Sequence, residues 1–328
     1  MNQPVSPPAL PMPTPRIPLV DLARGVALMA MVVFHFAYDL SYFGLIDTDV
    51  PGEPGWRWFA RIIAGSFLTL VGISLVLATQ GGLNRAAFLK RLAMVAGAAL
   101  IVTVATRFAM PQAYIFFGIL HHVALASVLG LAFIRAPVIV LIVAALFCFA
   151  LPVLVHHPAL DAAWLDTPWL AFLGLSPIAV RSADFVPVFP WFGCVLGGMA
   201  LARAVLGRAK LPGWTLWNPD DRLARLLRWC GRRSLAFYLI HQPVLIGAIL
   251  LAIQILPVTP PQERALRITY QRTCETLRIP DAACAESYAC TVAALKREGL
   301  WRGVLDNALT AQERERTTAL TQACFRAP

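Results

Sequence analysis

Long apolar segments joined by short connections limit how this chain can fold more than any other feature. The predicted helices lie at roughly 17–40, 57–79, 88–107, 114–134, 137–155, 187–206 and 231–256. A helix needs about 20 mainly apolar residues to cross a bilayer, and each segment is near that length. Backbone groups in lipid must bond within their own segment, which makes helices the spanning form. The sequence therefore predicts an all-α, polytopic membrane helix bundle with about seven transmembrane helices.

Composition agrees with a membrane protein. Hydrophobic residues make up 58% of the 328 residues and charged residues 14%, whereas soluble domains carry about 25% charged residues. The formal net charge of +10 would suggest a nucleic-acid partner in a soluble protein. Here the basic residues cluster in particular connections, so topology explains them better. We expect the lipid bilayer as a partner and no nucleic acid.

The distribution of charge predicts the orientation of the chain. Basic residues cluster in the connections 80–91, 135–137 and 203–230, whereas the alternate connections are rich in acids. These acids are Asp47, Asp49 and Glu53 in one connection, and Asp161, Asp166 and Asp184 in another. The positive-inside rule then places the N-terminus in the cytoplasm and residues 257–328 outside. We expect a multi-pass membrane protein with an extracytoplasmic C-terminal tail.

Three regions are predicted along the chain. Residues 1–15 hold six prolines and no charge and are predicted to be a disordered tail. Residues 16–256 form the membrane domain. Its stretch 160–178 is broken by acids and prolines, which favours a re-entrant or interfacial segment; an eighth span there would reverse the orientation of everything that follows. Residues 257–328 are of mixed charge and predict a small helical extracytoplasmic tail, with amphipathic helices around 262–278 and 287–300.

Four of the seven cysteines lie in this tail: Cys274, Cys284, Cys290 and Cys324. Four cysteines in a small extracytoplasmic segment predict two disulfides, and three connectivities are open. Zinc binding is the less favoured interpretation, because the tail has no CxxC pair and no nearby histidine. No metal is expected.

The first helix carries a seam of ionisable residues that the rest of its sequence does not explain. Asp21, Arg24, His35 and Asp39 fall within roughly 80° of arc at 100° per residue. His35 and Asp39 are one turn apart, and a carboxylate beside an imidazole fixes its tautomer and raises its basicity. This predicts His35 as a general base or a covalent acyl acceptor. As alternatives, Asp21 caps the helix, Arg24 is a snorkelling anchor roughly 16 Å from His35, and Asp39 solvates the helix end.

Two later helices contain further polar candidates. His121 and His122 are adjacent and point about 100° apart, so both cannot face one point. Ser234, Tyr238 and His241 share one face of the last predicted span at i, i+4 and i+7. That row predicts either the lining of a substrate passage or hydrogen bonding between helices.

The sixth predicted span begins after Asp184, which is either a group that binds a sugar hydroxyl or amine, or a solvated loop acid. Gly193, Gly197 and Gly198 in this span are predicted to permit close helix packing, since small residues let backbones approach.

Several blocks of the sequence resemble one family. RIPLVDLARGVALMAMVVFHFAYDLSYFG, FFGILHHVAL, DFVPVFPWFGCVLGGMALA and GRRSLAFYLIHQP resemble blocks of bacterial proteins related to heparan-α-glucosaminide N-acetyltransferase. The resemblance covers roughly residues 16–256. The spacing from Arg24 to His35 also resembles the Arg-x10-His signature of the wider membrane-bound acyltransferases that modify polysaccharides.

The resemblance implies a membrane acyltransferase that uses cytoplasmic acetyl-CoA and acetylates a sugar on the far side. His35 with Asp39 would be catalytic, and Arg24 with Asp21 would belong to the donor path. The expected residues for substrate binding are His121, His122, Asp184, Ser234, Tyr238 and His241. The family often has Gln-Arg where this chain has His121 and His122. This chain is also shorter than the lysosomal enzyme of that family, and it lacks that enzyme's large luminal domain. We therefore expect a cell-envelope glycan or glycolipid as acceptor.

Two other functions are kept beside the transferase. A proton-coupled transporter or flippase would use the same polar seam as a path, although no inverted repeat or paired broken helices are evident. A non-catalytic membrane component would use the cysteine-containing tail to bind a partner. The sequence leaves the acyl chain and the oligomeric state open, a homo-oligomer included.

Overall fold

A computed structural model describes residues 17–46, 48–155, 165, 167–176, 180–207, 213, 217–255 and 261–326. The predicted disordered tail at residues 1–15 lies outside this part of the chain. The helices are α1 (Pro18–Tyr42), α2 (Pro54–Thr79), α3 (Arg85–Ala109), α4 (Ile119–Ala132), α5 (Val138–Val155), α6 (Val188–Leu206), α7 (Arg222–Arg232), α8 (Ser234–Ile255), α9 (Pro261–Thr276), α10 (Asp281–Arg297), α11 (Trp301–Leu305) and α12 (Ala311–Arg326). The described residues contain no strand, so the predicted all-α class is confirmed.

Within the described part of the chain, six helices are long and apolar enough to cross a membrane: α1, α2, α3, α5, α6 and α8. The polytopic membrane bundle is therefore confirmed. The predicted span at 114–134 is shorter than expected, because α4 has only 14 residues, or about 21 Å of helix. The chain before it forms turns, in which the Ala113 amide donates to the Met110 carbonyl oxygen at 3.0 Å. Within the predicted re-entrant or interfacial stretch 160–178, the described residues form a short 3-10 helix over Pro168–Leu173.

The basic connections begin new helices at capping side chains. The Asn84 carboxamide oxygen accepts from the Ala87 amide at 3.0 Å at the start of α3. The Asp221 carboxylate accepts from the Ala224 amide at 2.9 Å at the start of α7. Such caps satisfy amides that the first turn leaves without a partner. At its other end, α7 stops at Arg232, where the Arg233 amide donates to the Cys230 carbonyl, so the last span starts at Ser234 rather than near residue 231.

The chain divides into two compact units. The first comprises Met1–Phe34 and Trp58–Pro243, and the second comprises His35–Arg57 and Val244–Pro328. The main hydrophobic core of the first unit is formed by α2, α4, α5 and α6, and its most deeply buried side chains are Leu68, Leu141, Val195, Leu196 and Met199.

Glycines allow two helix pairs of the first unit to meet backbone to backbone. A Cβ at Gly72 of α2 would meet the Val195 carbonyl, and a Cβ at Gly198 of α6 would meet the Thr69 carbonyl. In the same way, Gly25 of α1 lies against the Leu227 carbonyl of α7. The predicted packing role is therefore confirmed for Gly198.

The other two glycines predicted on α6 behave differently from each other. Gly193 lies against Phe149 and the Ala145 carbonyl of α5, as expected for a close contact. The prediction is wrong for Gly197, because nothing lies within 4 Å of a Cβ built there. Adjacent residues point about 100° apart on a helix, so Gly197 faces away from the contact that Gly198 makes.

The second unit contains the helical tail and both predicted disulfides. Cys274 is bonded to Cys284 and Cys290 to Cys324, which selects one of the three open connectivities. The first bond joins α9 to α10 and the second joins α10 to α12. The described part of the tail has four helices, α9 to α12, and the examples predicted around 262–278 and 287–300 correspond to α9 and α10.

Polar contacts add to the disulfides within this unit. The Tyr270 hydroxyl lies 2.7 Å from Ser287 Oγ and 3.1 Å from Thr291 Oγ1. Arg272 donates to an Asp49 carboxylate oxygen at 3.0 Å, which joins α9 to the connection after α1. The Arg272–Asp49 pair thus connects the short segment after α1 to the tail, and the Tyr270 contacts hold α9 against α10.

Candidate functional site

The N-terminal half of the predicted polar seam, Asp21 and Arg24, is a bonded cluster in the first unit. Arg24 Nη1 donates to Asp21 Oδ1 at 3.0 Å, one turn away on α1. Its second amino nitrogen, Nη2, donates to Ser74 Oγ of α2, and that hydroxyl donates in turn to the Leu70 carbonyl. Ser74 is among the few buried polar side chains. The carboxylate and hydroxyl hold the Arg24 guanidinium in place, so it is more than a surface anchor.

The remaining two residues of the seam lie in the second unit. His35 is partly buried, and Asp39 is only 2% exposed. Asp39 is the one acid among the described residues that falls in the buried class. A buried carboxylate is costly and does not serve to solvate a helix end. Their places on α1 put the two side chains one turn apart on one face, as the sequence predicts.

His121 organises the turn before α4. Its Nδ1 accepts from the Gly118 amide at 3.2 Å, and its Nε2 lies 3.0 Å from Thr103 Oγ1 of α3. An amide can only donate, so Nδ1 is unprotonated and Nε2 carries the hydrogen. The Thr103 hydroxyl donates onward to the Ile115 carbonyl at 2.7 Å. Both ring nitrogens of His121 are therefore engaged within the protein.

His122 has the opposite tautomer. Its Nδ1 lies 3.2 Å from the Val186 carbonyl oxygen and 3.1 Å from the Pro187 carbonyl oxygen. Carbonyls only accept, so Nδ1 carries the hydrogen and Nε2 is the unprotonated nitrogen. The side chain is 1% exposed, and no described residue bonds to Nε2. His122 thus clamps the backbone that leads from Asp184 into α6.

Asp184 contacts the first residue of α4 and Tyr238 near the start of α8. Its Oδ2 accepts from the Ile119 amide at 2.9 Å and from the Tyr238 hydroxyl at 3.2 Å. Burial raises the pKa of this carboxyl group, while the two donors act in the opposite direction. Asp184 is thus a bonded, partly buried acid, not a solvated loop acid.

The three residues predicted to share a face of α8 make different contacts. Tyr238 reaches across to Asp184. His241 Nδ1 lies 2.7 Å from the carbonyl oxygen of Tyr238, in its own helix. Ser234 is the first residue of α8. The structure therefore brings His121, His122, Asp184 and Tyr238 together where the start of α4 meets the segment before α6, and His241 lies beside Tyr238.

The sequence pattern missed two hydroxyls of these clusters, Ser74 and Thr103. An isolated Ser or Thr in an apolar helix usually bonds to its own backbone, as Ser74 also does, so neither stood out. The Val186 and Pro187 carbonyls carry no side-chain signal at all. Among the described residues, no group of three or more His, Cys, Asp or Glu could hold a metal ion.

A bundle of apolar helices that encloses fixed imidazole, carboxylate and guanidinium groups defines a polytopic membrane protein with polar sites in its interior. Residues 16–243, more than two thirds of the chain, match the family model described as heparan-alpha-glucosaminide N-acetyltransferase, catalytic. The chain belongs to this family, and the predicted resemblance is confirmed. No curated protein and no solved structure matches the chain at a significant level.

Proposed function

We propose that this protein is a membrane-embedded acyltransferase that moves an acetyl group from cytoplasmic acetyl-CoA to an extracytoplasmic sugar or glycolipid. The observation that carries this proposal is the family match over residues 16–243, which supports membrane acetyltransferase activity in general. The donor, the acceptor and the side of the membrane are the specific parts that experiment must test.

His35 is assigned the central chemical role, as a general base or as the residue that accepts the acyl group. An imidazole can do either at neutral pH. The support is its place one turn from Asp39, a carboxylate that is 2% exposed. A buried carboxylate at that spacing can hold an imidazole in one tautomer and stabilise its protonated form.

Arg24 and Asp21 are assigned to the donor. Coenzyme A carries phosphate groups, and a guanidinium binds phosphate through paired hydrogen bonds. Arg24 fits this task because Asp21 and Ser74 already orient it. In this assignment acetyl-CoA is a substrate, and no metal takes part.

The acceptor is assigned to the polar groups around the start of α4 and along α8. They are His121, His122, Asp184, Ser234, Tyr238 and His241. Sugars are recognised by carboxylates, hydroxyls and imidazoles that accept from and donate to their hydroxyl and amino groups. The support is the chain of contacts that ties His122, Asp184 and Tyr238 together.

The proposed organisation places a catalytic membrane domain at residues 16–256 and an accessory tail at 257–328. We place the protein in a bacterial inner membrane, with the N-terminus in the cytoplasm and the tail in the periplasm. The basic connections support this orientation. The two disulfides support it independently, because such bonds persist in oxidising compartments.

The test is transfer from radiolabelled acetyl-CoA by the purified full-length protein and by native membranes that contain it. We expect His35→Ala to abolish transfer while the protein still inserts in the membrane. Phe36→Ala is the matched control, because the neighbouring Phe36 is 45% exposed and carries no polar group. The proposal fails if purified protein binds no acetyl-CoA and the His35→Ala variant fully complements a deletion strain.

A further inference from the structure

We propose that Asp184 is a further catalytic residue, whose free carboxylate oxygen, Oδ1, takes the proton from the acceptor's amine or hydroxyl group during acyl transfer. This inference rests on the proposed function. In the step, the acceptor nitrogen or oxygen bonds to the acyl carbon, and its proton passes to Asp184. The bond from the acyl carbon to its leaving group breaks, and the leaving atom keeps the electron pair. Asp184 has this role where His35 is the residue that accepts the acyl group, because the one acceptor proton cannot pass to two bases.

The hydrogen bonds of Asp184 leave one oxygen for this task. Both donors, the Ile119 amide and the Tyr238 hydroxyl, reach Oδ2. Within the described part of the chain nothing donates to Oδ1. The residue is partly buried, and the carboxylate is anchored through Oδ2 alone.

The backbone that carries Asp184 is fixed at several points. The Ala183 amide donates to the Ala113 carbonyl at 2.8 Å, and the Val186 amide donates to the Phe117 carbonyl at 3.1 Å. The Ser182 hydroxyl donates to the Asp184 carbonyl at 3.0 Å. A base that is held this firmly needs no reorganisation at the moment of proton transfer, which is how fixed polar groups contribute to catalysis.

His122 completes this support from the other side, because its Nδ1 holds the two carbonyls that follow. It acts through Asp184 and is a positioning residue. Burial raises the pKa of Asp184, which brings a carboxylate closer to the range in which it is an effective base. Asp184 is thus a partly exposed carboxylate that these contacts hold in place and whose pKa burial raises.

The alternative is that Asp184 only caps α4 through the Ile119 amide. Asparagine separates the two roles, because its side-chain oxygen can still accept from the Ile119 amide and the Tyr238 hydroxyl but has no basicity at neutral pH. If Asp184 only caps α4, acetyl transfer should continue in Asp184→Asn; if Asp184 is the base, transfer should be lost.

The experiment measures incorporation of label from radioactive acetyl-CoA into native membranes whose chromosomal copy has been replaced by each variant. We expect Asp184→Asn to reduce transfer at least about 100-fold, the scale of general-base catalysis, with acetyl-CoA binding by the purified protein within about twofold of wild type. Asp220→Asn is the matched control, because Asp220 is 80% exposed on its side chain, and it should transfer normally. Transfer by Asp184→Asn within about threefold of wild type overturns the inference.

A second variant covers the case in which Asp184→Asn does not accumulate. Tyr238→Phe keeps the carboxylate and removes a donor that lowers its pKa. We expect the acid limb of the pH–rate profile to move to higher pH, with no such movement in Asp220→Asn. An unmoved limb overturns the inference. If wild-type membranes incorporate no more label than His35→Ala membranes, the proposed function itself is refuted, which is a different outcome from either failure above.

Discussion

The two disulfides of the tail should stabilise it unequally, in an order that their loop lengths set. The Cys274–Cys284 bond closes a separation of 10 residues, and the Cys290–Cys324 bond closes 34. The entropy removed from the unfolded chain grows with the logarithm of loop length. It corresponds to about 2.8 kcal/mol for the shorter loop and about 3.8 kcal/mol for the longer one. The two loops follow one another without overlap, so their contributions should add.

Paired serine substitutions test this order in the full-length protein. We expect the variant that lacks Cys290 and Cys324 to lose about 1 kcal/mol more stability in the tail than the variant that lacks Cys274 and Cys284. That difference corresponds to about a fivefold change in the opening equilibrium. Hydrogen exchange of the amides in α10 and α12, followed by mass spectrometry, measures opening of the tail separately from the membrane helices.

Two results would refute the reasoning. One is a larger loss of protection from removing the shorter loop, which would mean that loop entropy does not govern the tail. The other is a peptide map of the oxidised protein that pairs Cys274 with a partner other than Cys284. Wild-type protein treated with a reductant serves as the control, because it should lose about as much protection as the two variants combined.

Three further predictions concern packing, protonation and the loop clamp. Gly198→Ala should destabilise the bundle by about 1–3 kcal/mol, because the added methyl meets backbone, whereas Gly197→Ala should not; thermal unfolding in detergent compares them. The hydrogen bonds from Arg316 lower the pKa of Glu298 below its ordinary value of 4.5. The stabilisation from this pair is therefore fully present above pH 4.5 and is lost as the pH falls through the lowered pKa of Glu298. Exchange of α12 measured down to pH 3 should show that loss, and Glu298→Gln should not. His122→Leu removes the Nδ1 donor shared by the Val186 and Pro187 carbonyls and should cost about 1–2 kcal/mol, with reduced acetyl transfer. An unchanged melting temperature would contradict a role for His122 in holding this backbone.

The sequence alone determined the class of the protein and most of its helices. A bilayer demands long apolar helices with internally bonded backbones, and that demand is visible as hydropathy along the chain. The same reasoning overestimated α4, because the turn before it depends on Thr106, whose hydroxyl accepts from the Ile115 amide at 3.0 Å. Candidate residues also followed from sequence, since ionisable groups in apolar helices are rare enough to stand out.

Tertiary structure decided what those residues do. His121 and His122 are adjacent in sequence, yet they have opposite tautomers, because one faces the Gly118 amide and the other faces carbonyls 64 and 65 positions away. In the same way, Gly197 and Gly198 look alike in the sequence, but only Gly198 meets a neighbouring backbone. The cysteine count predicted two disulfides, and only the folded tail selected the pairing. Each of these outcomes depends on which group, distant in sequence, lies beside the side chain in the folded protein, and the local sequence does not specify that group.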